Sequence, residues 1–108
     1  MTIIINSTED KKAIYNMTRS RDRLSMKDAE EIAVKDYIVF EDVNKATGEV
    51  VQLASIMDND GTIYTTNSPT FIDDFAAIAD AFPDVEVIKV VKCKSKKNRE
   101  FLVCNYVR

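Results

Sequence analysis

Two hydrophobic periods take turns along the chain, and their boundaries lay out the elements. From Glu31 to Val43 the alternation has period two: Ile32 and Val34 first, then Tyr37 and Val39 in the opposite phase, with Ile38 and Phe40 between them. This predicts one long strand, and the phase change near Lys35-Asp36 predicts a bulge or bend within it. Asn44-Lys45-Ala46-Thr47-Gly48-Glu49 reads as a polar hairpin loop, and Val50 to Met57 as the return strand. Asp58-Asn59-Asp60-Gly61 is a dense turn signal, followed by a short β-branched strand over Thr62 to Thr66.

The period then changes to that of a helix. Ser68 and Pro69 suit an N-cap and first helical position, and Phe71, Phe75, Ile78 and Phe82 recur at helical spacing up to Pro83. These phenylalanines are expected in the core. Asp84 to Cys93 returns to alternation, Lys94 to Arg99 is a basic turn, and Glu100 to Val107 is a fifth strand. Near the start, Ser7 to Thr18 reads as a short helix capped by Ser7 or Thr8, with Ile14 and Met17 on one face. Thr18 to Lys27 is polar, basic and irregular.

The resulting order, βββαββ behind a short N-terminal helix, is that of a β-rich (α+β) five-stranded OB-type Greek-key barrel. A split α+β sandwich has the same element order. The 108-residue length fits one domain, with residues 1–27 as helix and basic connector and 28–108 as barrel. A domain of this size has little room for both a core and a deep active-site cavity.

Composition narrows the chemistry. The chain has no histidine, which removes the commonest general base and metal ligand. Carboxylate sites remain as the route to catalysis or metal binding. Asp58-Asn59-Asp60-Gly61 lacks a Glu at calcium-loop spacing, and with Asp73 and Asp74 it reads as a turn plus a solvated helix face. Cys93 and Cys104 are far from CxxC spacing and read as reduced, half-buried thiols. No apolar run is long enough to span a membrane, and the three isoleucines of Met1–Asn6 are too few for a signal-peptide core, so the expected location is cytoplasmic. No enzyme activity, metal or cofactor is expected.

Charge changes the picture more. The net charge is −3, yet Glu9–Lys27 carries +3, Asp28–Glu86 carries −12 and Lys89–Arg108 carries +6. Segregated cations let one face hold a polyanion while the rest keeps the protein soluble. Lys92, Lys94, Lys96, Lys97 and Arg99 surround the last hairpin, where an OB-fold flanks its ligand groove. Arg19, Arg21 and Arg23, spaced two apart with hydroxyls nearby, suit an extended segment along a phosphate backbone. Tyr37, Tyr64 and Tyr106 are the strand aromatics that could stack on bases, Tyr64 being the one expected to be most exposed and Phe40 being expected in the core.

Three stretches resemble a known family. They are Lys11-Lys12-Ala13-Ile14-Tyr15-Asn16-Met17-Thr18-Arg19, the run from Ser55 through Asp58-Asn59-Asp60-Gly61 to Tyr64-Thr65-Thr66-Asn67-Ser68, and Lys94-Ser95-Lys96-Lys97-Asn98-Arg99-Glu100-Phe101. In layout the chain resembles the small single-stranded DNA-binding proteins of phages infecting Gram-positive bacteria. The resemblance implies an OB-fold, coating of single-stranded DNA during phage replication in the host cytoplasm, and no catalysis. The chain departs from such proteins in having Lys97-Asn98 where their turns often carry glycine. Replication proteins are candidate partners, and the chain is expected to be a monomer or dimer. Two other classes compete. One is a phage protein-interaction module, such as an inhibitor of a host factor, that works through the acidic middle segment. The other is a carboxylate-dependent nuclease or phosphoesterase.

Overall fold

A computed structural model describes all of residues 1–108. Its elements are β1 (Thr2–Asn6), α1 (Lys11–Arg19), β2 (Leu24–Ser25), a single 3₁₀ turn (Met26–Asp28), β3 (Glu31–Val43), β4 (Val50–Asp58), β5 (Ile63–Thr66), α2 (Pro69–Ala81), β6 (Val87–Lys94) and β7 (Glu100–Tyr106). The molecule is β-rich, with a curled, mixed sheet in the form of a half-barrel, consistent with an OB-like barrel. The sheet runs β2-β5-β4-β3-β6-β7, and β1 also pairs with β3.

The bend in β3 organises the rest. Register with β4 slips between Val34 and Asp36, so Lys35 is the extra residue of a bulge. One inserted residue reverses which side chains face in. Ile32 and Val34 face the main core before the bulge, and Tyr37 and Val39 face it afterwards, joined by Ile56, Phe71, Phe75, Ile88 and others. Ile38 and Phe40 consequently point to the other side of the sheet, where Met57 and Ile63 join them. Before the bulge β3 pairs with β6 through Glu31–Ala33; after it, Ile38–Glu41 pair with β1.

That second apolar face is covered by α1, whose Ala13 and Met17 complete its cluster. A buried polar clasp holds the helix there. Ser55 Oγ donates to the Met17 carbonyl at 2.6 Å and, its own proton thus used, takes one from Thr65 Oγ1 at 2.7 Å. The helix begins at Lys11, four residues after the expected start, because the Asp10 carboxylate caps it by accepting from the Lys12 N–H.

The free edge of β7 is closed by side chains. Ser68 stands at the N-cap of α2, but its hydroxyl accepts from the Leu102 N–H instead of capping the helix. Asp74 accepts from the Cys104 N–H. Two edge donors are thus satisfied without a strand pairing there.

Three sequence expectations need correction. The sheet has seven strands, not five. Thr2–Asn6 pairs with β3 in a stretch given no element, and Leu24–Ser25 pairs in parallel with Tyr64–Thr65 inside a stretch read as irregular. Phe82 is no core residue: it ends α2, is 42% exposed, and stacks on Tyr106 with ring centroids 4.1 Å apart.

Candidate nucleic-acid interface

The β6–β7 hairpin presents the densest cations. Its register sets Lys92 opposite Leu102 and Lys94 opposite Glu100, on the side that further along carries Ile88 and Val90. Lys92, Lys94, Lys96, Lys97 and Arg99 are all exposed. None of them lies within ion-pair distance of a carboxylate, since the only such pair in the chain is Arg19–Asp42.

The turn is built by its own polar groups. The Asn98 N–H donates to the Ser95 carbonyl at 3.0 Å, and the Ser95 hydroxyl accepts from the Lys97 and Arg99 N–H groups. Asn98 has φ of 60°, in the left-handed region. Asparagine therefore does here what glycine does in related hairpin turns, because its short side chain tolerates that conformation.

The connector after α1 gives its three arginines different roles. Arg19 forms a 2.7 Å ion pair with Asp42. Burial alone would raise the Asp42 carboxyl, but the Val43 N–H and the Arg19 charge outweigh it and hold the group below its ordinary value. Arg23 folds back on the helix, donating through Nε to the Ser20 carbonyl at 2.8 Å and through Nη1 to the Met17 carbonyl at 3.4 Å. It caps the C-terminal end of α1, where a cation also suits the helix dipole. Burial, then the neighbouring Arg19 charge, lower its guanidinium from the usual value. Arg21 is exposed and makes no side-chain bond.

Hairpin and connector meet across two joined hollows. One, of about 470 Å³, lies between Ser25 and Lys27 on one side and Thr66, Ser68, Glu100 and Phe101 on the other. The second, of about 480 Å³, is lined by Arg21, Arg23, Leu24, Leu53 and Thr65. Ser25 lines both, so the two adjoin as one cleft running from Glu100 and Phe101, at the turn end of the hairpin, to Arg21 and Arg23. Glu100 is its only carboxylate. At the far end of the β6–β7 hairpin the balance reverses, where Asp36, Asp84 and Glu86 line a hollow of about 520 Å³ beside Lys35 and Arg108.

The expected aromatics divide. Tyr37 is 6% exposed, its ring is edge-on to Phe75 at 5.1 Å, and its hydroxyl donates to the Pro83 carbonyl. It offers no ring face to a base, because the bulge in β3 turns it into the core. Burial, then the Asp84 charge, raise that phenol. Tyr64 is half-buried and packs on the main core, so the expectation that it is the most exposed ring fails. Tyr106 is 43% exposed but has one face against Phe82.

Sequence reasoning missed Lys27 and Phe101 as cleft-lining residues. Lys27 lay outside the arginine pattern. Phe101 and Leu102 are adjacent apolar residues, and only the register shows that Leu102 turns inward while Phe101, opposite Cys93, does not. Cys104 lies in the core, where burial and then Asp74 push its thiol up to about 12. Asp58 is used as a turn brace, its Oδ1 accepting from the Asp60 and Thr62 N–H groups at 2.9 Å each.

A family model described as Phage Single-stranded DNA-binding protein matches residues 1–105. No curated protein and no solved structure matches the chain.

Proposed function

The chain belongs to the phage single-stranded DNA-binding protein family, and from that premise we propose that it coats single-stranded DNA without strong sequence preference during phage DNA replication in the host cytoplasm. The observation that carries this reading is the cleft between hairpin and connector. Its cations, Lys27, Arg21 and Arg23, are free of ion pairs, as are the hairpin cations beside it. Unpaired cations at loop tips neutralise phosphates without distinguishing bases. Phe101 supplies an aromatic surface in the same cleft, and stacking tolerates any base.

The pairing order supports an OB-type barrel: β3 pairs β4 and β6, β4 pairs β5, and β6 pairs β7, with α2 between β5 and β6. In this reading the whole chain is one domain, β1 and β2 are additions to the five-stranded plan, and the β6–β7 loop flanks the ligand groove. Binding requires no covalent step, so the protein acts by occupancy, protecting the strand and presenting it to replication proteins.

Oligothymidine titration tests this. At low salt the tyrosine emission should be quenched, and affinity should fall steeply as salt rises. The chain has no tryptophan to mask the signal. Absence of both quenching and a mobility shift at low salt would sink the reading.

A further inference from the structure

Outside the cleft, one surface joins cations to a bare aromatic ring. Lys11, Tyr15 and Arg19 follow one another at four-residue steps along α1, which puts them on one helical face. Ala13 and Met17 occupy the face turned to the sheet. Tyr15 is thereby left 63% exposed, the most exposed of the four tyrosines, and its ring has no aromatic partner. A hollow of about 580 Å³ lies against this face; Lys11, Ile14, Tyr15, Arg19 and Arg21 line it, and no carboxylate does. Arg21 also lines the cleft, so hollow and cleft adjoin at this side chain.

We propose that this face of α1 is a stacking site for single-stranded nucleic acid, in which a strand leaving the cleft past Arg21 lays a base on Tyr15 while Lys11 and Arg21 hold the flanking phosphates. The inference rests on the single-strand reading of the cleft. Charge complementarity selects the occupant: a ring bordered by cations and no carboxylate matches a polyanion with flat bases. Arg19 shares its charge with Asp42, so Lys11 and Arg21 carry most of the attraction. The site lengthens the contact from the turn end of the hairpin, along the connector, to the helix.

The test uses the full chain with oligothymidines of increasing length. Tyr15→Ala should leave the urea midpoint nearly unchanged, since the ring is largely exposed and belongs to neither core cluster. It should weaken binding of long oligothymidine between about fivefold and a hundredfold, while oligomers that fill only the cleft lose less than about twofold, within the error expected of an uncontacted residue. Tyr15→Phe should restore the affinity yet lower the maximal tyrosine quench, because the stacked ring no longer emits as tyrosine. Lys11→Ala should reduce the slope of log affinity against log salt by about 0.7. If the parent chain binds but Tyr15→Ala matches it at every length, or Tyr15→Phe quenches as fully as the parent, the stacking site is wrong and the cleft reading survives. If the parent binds no oligothymidine at low salt, the cleft reading fails first and takes this one with it.

Discussion

Single residues decide how the hairpin and its cysteines behave. Asn98 has a left-handed φ of 60°. That conformation costs a β-branched residue about 1–2 kcal/mol, asparagine less and glycine least. Asn98→Gly should therefore leave the urea midpoint nearly unchanged, and Asn98→Val should lower stability by about 1–2 kcal/mol. Equal stability of the two variants would show that the turn relaxes away from this φ. The cysteines differ in the same local way. Cys104 is buried with its thiol at about 12, so at pH 8 roughly one molecule in ten thousand carries the thiolate that reacts. A disulfide reagent should titrate the half-buried Cys93 alone in the native chain and both thiols in urea; two rapidly reacting native thiols would contradict the packing. The sign of the linked stability follows. The folded thiol keeps its proton up to about 12 whereas an ordinary one releases it near 9.0, so the folded chain binds the extra proton in that window and stability falls as pH rises through it.

At the scale of elements, α1 shows what the sequence revealed and what it hid. Its existence was legible from Ile14 and Met17 on one face behind capping residues. Its position was not, because a helix needs a surface to bury against, and that surface is the outer face of β3, β4 and β5. The phase change at Lys35 was visible as a bulge, but which half of β3 faces inward was not, so the pattern alone left Tyr37 among the rings that could stack on bases. β1 was missed because Ile3, Ile4 and Ile5 do not alternate with polar residues, and only the pairing with β3 gives them a register. Met17 is the residue on which the helix depends, fully buried beneath the Ser55–Thr65 clasp. Met17→Ala should lower global stability by about 2–5 kcal/mol, the usual cost of truncating a buried side chain. It should also speed amide exchange in α1 more than in β6 and β7, and uniform exchange changes would mean that α1 and the hairpin unfold together.

For the whole molecule, the question is how a chain of net charge −3 holds a polyanion. Distance and screening give the answer. The basic turn and the acidic hollow lie at opposite ends of β6, whose eight residues span about 24 Å at roughly 3.4 Å per residue. The Debye length is about 10 Å at 0.1 M salt and about 30 Å at 0.01 M. At the higher salt the DNA should feel the hairpin and scarcely the acidic end; at the lower it should feel both. The charge runs were readable in the sequence, but this separation was not, because it depends on which ends of the strands the loops occupy. Changing Lys94, Lys96, Lys97 and Arg99 to Ala should lower the salt slope by about 3, at roughly 0.7 per phosphate contact on a single strand. Asp84→Asn with Glu86→Gln removes two charges of the opposite sign. It should leave affinity within about twofold at 0.1 M salt, yet strengthen binding measurably at 0.01 M, where screening no longer separates the two ends. If the acidic pair mattered equally at both salt concentrations, net charge and not local placement would govern binding, and the hairpin would lose its special role.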